Sequence, residues 1–275
     1  PRTGEEWKQT KRMILYTDLV REIVADLAAR VPEFKHIEPS RIAILATARA
    51  GGNSHGNLAT CYSLSGRGKP TFSIWSHRTT RTIVATSQWY RHRCPRIRLD
   101  GHEATYLILL RLPRMLRRNP LLTIIHELYH ISERFDGTMR PVRHGRFFNS
   151  EVKRICRQWL ALNPGRLGQM AQWSLDRIEK EFGAILAESV PARFRVPVIE
   201  ACEAPGSYTE GVNRLYPGYR LPKRFEIRPA PISPAEVPRR LSERDLVVRH
   251  YTRDGCQKVS PAFARYSRRP LEESA

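Results

Sequence analysis

No two of the five cysteines (Cys61, Cys94, Cys156, Cys202 and Cys256) stand at Cys-x-x-Cys spacing, and their number is odd. A disulfide framework and a zinc ribbon both need paired cysteines, so neither is expected. A reducing, cytoplasmic setting is the simplest expectation. Long apolar runs are missing too. A membrane-spanning helix needs about 18–20 apolar residues in a row. The nearest approach, TYLILLRLPRML (105–116), is interrupted by Arg111, Pro113 and Arg114. The opening PRTGEEWKQTKRM is charged and polar, without the apolar core of a secretory leader. No membrane partner is expected. A phosphate loop is also absent. GRGKPT (66–71) has Ser63 where that pattern needs its first glycine, and Pro70 where it needs Ser or Thr.

Acidic residues are scarce in one long interval. Between Glu38 and Asp100, 61 consecutive positions hold neither Asp nor Glu. Arg78, Arg81, Arg91, Arg93, Arg96 and Arg98 lie there, interleaved with Phe72, Trp75, Trp89 and Tyr90. The whole chain carries 47 Lys and Arg against 27 Asp and Glu, a net charge of +20. Such an excess draws polyanions. Arginine grips phosphate and exposed aromatics stack on unpaired bases, so DNA or RNA is an expected partner and these six arginines are the candidate contacts. The bland alternative is a solvated arginine-rich face around strands whose aromatics fill a core.

The apolar pattern is that of an α+β protein. Leu15, Leu19, Ile23 and Leu27 recur every four residues and predict a helix over 5–30. RIAILATAR (41–49), NLATCYSL, TFSIWSHRT, RTIVATSQWY and ATYLILLRL (104–112) read as strands. Short connections between them predict a small, mostly antiparallel sheet. Asn119-Pro120 is a helix start, with an N-cap and a proline at the first turn, and the helix is expected to run to 132–134. Further helices are expected just after His144 and over 168–189. Eleven of the 20 prolines fall in 191–275. One domain over 1–190 with a Pro- and Arg-rich extension over 191–275 is the expected division.

The stretch TIIHELYHISERFDGTMRPVRHGRFF (123–148) carries the chemistry. His126 and His130 are one turn apart on one helix face, so both imidazoles can reach one metal ion. Glu127 lies beside that metal, placed to take a proton from an attacking water. Without a metal, Leu121, Ile124, Ile125, Leu128 and Ile131 would bury His, Glu and His with nothing to satisfy them, which is costly. A catalytic zinc site needs a third protein ligand and one open position. Asp136, Glu151 and His144 are the candidates, and His144, placed after the turn that returns the chain, is favoured.

HELYH, a non-helical return, then HGRFF opening a helix resembles the SprT-like zinc metallopeptidases, the Spartan-type family. HELYHI and FDG also resemble putative phage and archaeal metallopeptidases. The likeness covers about 120–160 well and the flanks in outline. It implies a minimal zincin-like domain in which His126, His130 and His144 hold one zinc ion and Glu127 is the catalytic base, with Gly145 and Phe148 completing the second element. It implies peptide-bond hydrolysis of a protein or peptide substrate, in relatives that act on proteins bound to DNA. The zinc ribbon that such proteins often carry has no counterpart among these cysteines. Two rival readings remain: a non-enzymatic nucleic-acid-binding protein with a structural zinc, and a hydrolase of a non-peptide amide.

Overall fold

The computed structural model describes residues 14–49, 57–65, 70–71, 73–76, 82–183, 185–203, 225–253 and 255–258. It is a mixed α+β protein with several sheets and, among the described residues, five α-helices. The chain forms two compact units. The larger comprises Pro1–Ser65, Ile97–Ala192 and Leu241–Ala275; the smaller comprises Gly66–Arg96 and Arg193–Arg240. No helix among the described residues is long and apolar enough to cross a membrane.

The larger unit is built on one sheet. Its strands are β1 (Ile14–Leu15), β2 (Ile42–Arg49), β3 (Ala59–Ser63), β4 (Tyr106–Pro113), β5 (Ile185–Ser189), β6 (Val247–Thr252) and β7 (Gly255–Lys258). They lie in the order β7-β6-β5-β2-β4-β3, with β1 beside β5. The centre is parallel: β2 pairs with β4 over Ile42↔Tyr106 to Arg49↔Pro113, and with β5 at Ala46↔Ser189. The outer pairs β3–β4, β5–β6 and β6–β7 are antiparallel. The mostly antiparallel sheet expected from short connections is therefore corrected. β2 reaches its neighbour β4 only after the excursion 50–105, and the two run parallel. Ile74–Ser76 and Ile83–Thr86 pair with each other in the smaller unit instead.

Alternate residues of the central strands enter one core. Ile42, Ile44 and Ala46 of β2, and Tyr106, Ile108, Leu110 and Leu112 of β4, join the helices there. Ala43, Leu45, Leu107 and Leu109 on the opposite faces are buried as well. That double burial explains why these strands read as unbroken apolar runs. The helices are α1 (Tyr16–Arg30), α2 (Pro120–Tyr129), α3 (Arg146–Leu162), α4 (Arg166–Met170) and α5 (Leu175–Phe182). Leu19, Ile23 and Leu27 of α1, Ile124, Ile125 and Leu128 of α2, and Ile155 and Trp159 of α3 meet in that core. Trp159 Nε1 donates to Asp26 Oδ2 at 2.7 Å, joining α3 to α1.

Two expectations shift. The helix expected over 168–189 is broken at 171–174 into α4 and α5, and α5 stops at Phe182, because Gly183 adopts φ +74° as its C-cap. ILAES then forms the buried strand β5, and so short an apolar run does not reveal its period. Residues 191–275 do not stay together: 247–258 complete the main sheet as β6 and β7, while 193–240 fall in the smaller unit. Residues 5–13 of the first expected helix, with GGNSHG, GRGK, Arg78 and Arg81, lie outside the described residues.

Candidate metal centre

Helix α2 begins as its sequence predicts. Asn119 Oδ1 accepts the Leu122 N–H at 3.1 Å, and Pro120 occupies the first turn. Leu121, Ile124, Ile125 and Leu128 are fully buried and fix which way the helix faces. His126 and Glu127 then turn toward the cleft. The helix ends earlier than expected: His130 is its C-cap, and Ile131 already bridges to Met139. His130 remains one turn from His126, so the pair survives the shortening.

The loop after α2 is locked in place from the sheet. Tyr106 Oη accepts the Gly137 N–H at 3.0 Å and donates to Thr138 O at 2.7 Å. Ser63 and Ser65 donate to Gly137 O. Gly137 has φ +80°, and a β-carbon there would fall 1.7 Å from Ser65 Oγ, so only glycine fits. The Arg140 N–H donates to His130 O at 2.8 Å, and its guanidinium stacks 4.5 Å over the Tyr129 ring. The chain is thereby turned back, and His144 and α3 arrive beside α2.

His126, His130 and His144 converge. One ring nitrogen from each lies within 4.8 Å of the others, and His130 Nε2 is 3.0 Å from His144 Nε2. Phe148, buried at the start of α3, packs edge-on against His126 and His144, at 4.8 and 5.0 Å between ring centres. It holds the imidazoles from below, as an apolar support for a polar cluster. Burial lowers the His126 pKa, helped by the neighbouring His144. Burial, His126, His144 and Arg140 lower that of His130 to about 4. Neutral imidazoles are the form that binds a metal. This cluster can hold a metal ion.

Glu127 is 7% exposed and accepts the Cys61 N–H at 2.7 Å. Burial raises its pKa to about 7, against the opposing pull of the Cys61 N–H and of Arg111. With the three histidines it lines an open cleft of about 700 Å³, whose walls include residues 57–61, Leu122, Met139, Asn149 and Val152. The other two candidate ligands stand apart from the cluster. Asp136 is exposed and accepts from Thr138 N and Oγ1, at 3.0 and 2.6 Å. Those bonds lower its pKa. Glu151 is held by Arg154, whose hydrogen bond lowers its pKa as well. Of the three, only His144 joins His126 and His130.

Two features of the site have no motif. Leu58 O and Leu64 N bond to the β4 side. The alternate residues 59, 61 and 63 therefore point their backbone groups to the outer edge of β3, as the Cys61 bond to Glu127 shows. Among the described residues β3 is the last strand of the sheet, so this edge borders the cleft. Arg111 donates to Thr60 Oγ1 at 3.2 Å. Its signal in the sequence is a single charge inside an apolar strand, which reads at first as a mere interruption.

No family model, no curated protein and no solved structure matches the chain. Function is therefore read from the site.

The expected nucleic-acid residues are dispersed. Arg91, Arg93 and Arg96 belong to the smaller unit. Arg98 belongs to the larger one, in a hairpin opposite Glu103.

Proposed function

We propose that this chain is a zinc-dependent metallopeptidase of the HExxH class, with the SprT-like, minimal zincin-like organisation its motif resembles. The supporting observation is the convergence of His126, His130 and His144 in an open cleft that Glu127 also lines. Three imidazoles suit zinc, and three ligands facing open space favour a catalytic over a closed structural site. Zinc bound there supplies a Lewis acid that polarises the scissile carbonyl and makes water a nucleophile near neutral pH. Glu127 takes the proton of the attacking water and delivers it to the leaving amine. The Cys61 N–H orients that carboxylate, and burial brings its affinity for a proton close to the working range. The outward backbone groups of β3 offer an extended peptide a strand to pair with, which favours a peptide over another amide. The net charge of +20 favours substrates that are themselves associated with nucleic acid.

Metal analysis with a protease assay tests this reading. The wild type should bind about one zinc per chain and cleave an unstructured protein substrate. Glu127→Gln should keep the zinc and lose cleavage by about 10²–10⁴-fold. A purified chain that binds no zinc removes the proposal. A chain that binds zinc but cleaves nothing, with or without DNA, supports the structural-zinc, nucleic-acid-binding alternative.

A further inference from the structure

Charge is unevenly divided between the two units. The smaller unit, residues 66–96 and 193–240, holds 16 of the 47 Lys and Arg but only 5 of the 27 Asp and Glu. Its net charge is thus +11 of the chain's +20, in under a third of the length. One of those five acids organises part of that charge. Strand Val198–Ala201 pairs antiparallel with Tyr90–Arg93, which sets Glu200 directly across from Arg91 and on the same face. Arg93 Nη1 lies 3.6 Å from Glu200 Oε2, and Arg239 Nη2 lies 3.0 Å from Oε1. The Arg239 contact is an ion pair without hydrogen-bond alignment: Oε1 is buried and accepts no hydrogen bond. Arg93 and Arg239 remain about half exposed, at 49% and 59%. The Arg96 N–H donates to Arg239 O at 2.9 Å, so the segment bearing Arg239 is pinned beside Arg96.

We propose that Arg91, Arg93 and Arg239, gathered on Glu200, form a binding site for the phosphate backbone of a nucleic acid. The guanidinium groups of Arg93 and Arg239 meet one carboxylate, and register sets Arg91 across from it, so positive charge is in surplus. Ion pairs made by arginines that remain half exposed add little to folding, which makes stability a weak reason for the cluster. Glu200 instead holds planar, always-charged forks in place before a ligand arrives. A pre-ordered fork loses less entropy when it takes a phosphate in two hydrogen bonds. The cluster is arginine alone, the residue whose geometry fits phosphate oxygens. The site is independent of the metal centre and stands or falls without it.

The test is fluorescence anisotropy of the full chain with a 25-nucleotide single-stranded DNA across a salt series. The wild type should bind, and more weakly as salt rises. Arg93→Glu with Arg239→Glu should weaken binding at least tenfold at 150 mM salt and lower the salt slope by about 1.5–2. Arg93→Lys with Arg239→Lys keeps the charge and removes the forks; a loss of several-fold is expected from it, and it keeps the test valid should the reversals unfold the unit. Arg157→Glu with Arg166→Glu on exposed helical positions of the larger unit changes net charge equally and should cost less than threefold. Equal losses from the two reversal pairs would show only general charge attraction and overturn the proposal. So would binding without salt dependence, or equal binding to poly-glutamate or to vesicles of anionic lipid. Zinc content should be the same in every variant, so failure here leaves the peptidase reading untouched.

Discussion

His126, Glu127 and His130 come from five consecutive residues on one helix, whereas Arg91, Arg93, Glu200 and Arg239 come from three segments more than a hundred residues apart in two cases. The first group is half-buried or buried, supported by Phe148, and its charges are suppressed. In the second, Arg93 and Arg239 are about half exposed. Helix periodicity is enough to place two imidazoles on one face. Only strand pairing can bring Glu200 opposite Arg91. A local site is written in spacing, while a distributed site is written in register.

The largest expected effect removes the local site at once. His126→Ala or His130→Ala should lower zinc from about one per chain to none, as measured by atomic absorption after gel filtration. His144→Ala should do nearly the same, whereas Asp136→Asn and Glu151→Gln should keep the metal. Metal loss in Glu151→Gln with retention in His144→Ala would reverse the choice of third ligand.

Next comes the loop that delivers His144. Gly137→Ala faces both φ +80° and the Ser65 side chain, and should cost about 2–3 kcal/mol in urea unfolding. A stability unchanged within error would mean that the loop is not held as the Tyr106 and Ser63 bonds indicate. Phe148→Leu keeps an apolar side chain but removes the ring under the imidazoles. Zinc affinity should fall by about 10-fold, in the range seen when groups supporting a ligand are altered.

The smallest effect is the pH dependence of the metal-free chain. The folded pKa of Glu127 is raised to about 7 by burial. Its contribution is full below the unfolded carboxylate pKa and is lost as pH rises through about 7. His130 is lowered to about 4. Its contribution is full above the unfolded imidazole pKa and is lost as pH falls from about 6.5 toward 4. Thermal melts of the chelated protein should therefore decline on both sides of a broad maximum. Glu127→Gln should flatten the alkaline side, by a few degrees of Tm. A wild-type melt unchanged between pH 6 and 8 would contradict this assignment.

Much of α2 is legible in the chain itself. Asn119 and Pro120 announce its start, and its apolar stripe says which face is buried. The HGRFF element, by its own opening of α3, marks where a third histidine arrives. Other parts lie beyond such reading. ILAES is too short for its period to separate strand from helix, so β5 emerges only when Gly183 is seen to end α5. VVRHYT reads as the tail of a proline-rich segment until its antiparallel register with β5 makes it part of the main sheet. Arg98 looks like a companion of Arg96 in the sequence, yet the two fall in different units.

Residue order and helix period suffice for the histidine pair and its glutamate, because neighbours on an α-helix face one way at a fixed spacing. They leave the third ligand open among Asp136, Glu151 and His144. Of these three, the folded chain brings only His144 into the cluster that could hold a metal ion, since Arg154 and Thr138 hold the two carboxylates elsewhere and the Gly137 loop turns the histidine back. The orientation of Glu127 on the Cys61 N–H and the gathering of arginines on Glu200 are likewise decisions of the fold. Each joins groups distant along the chain, and distance along the chain is bridged only by strand register and packing.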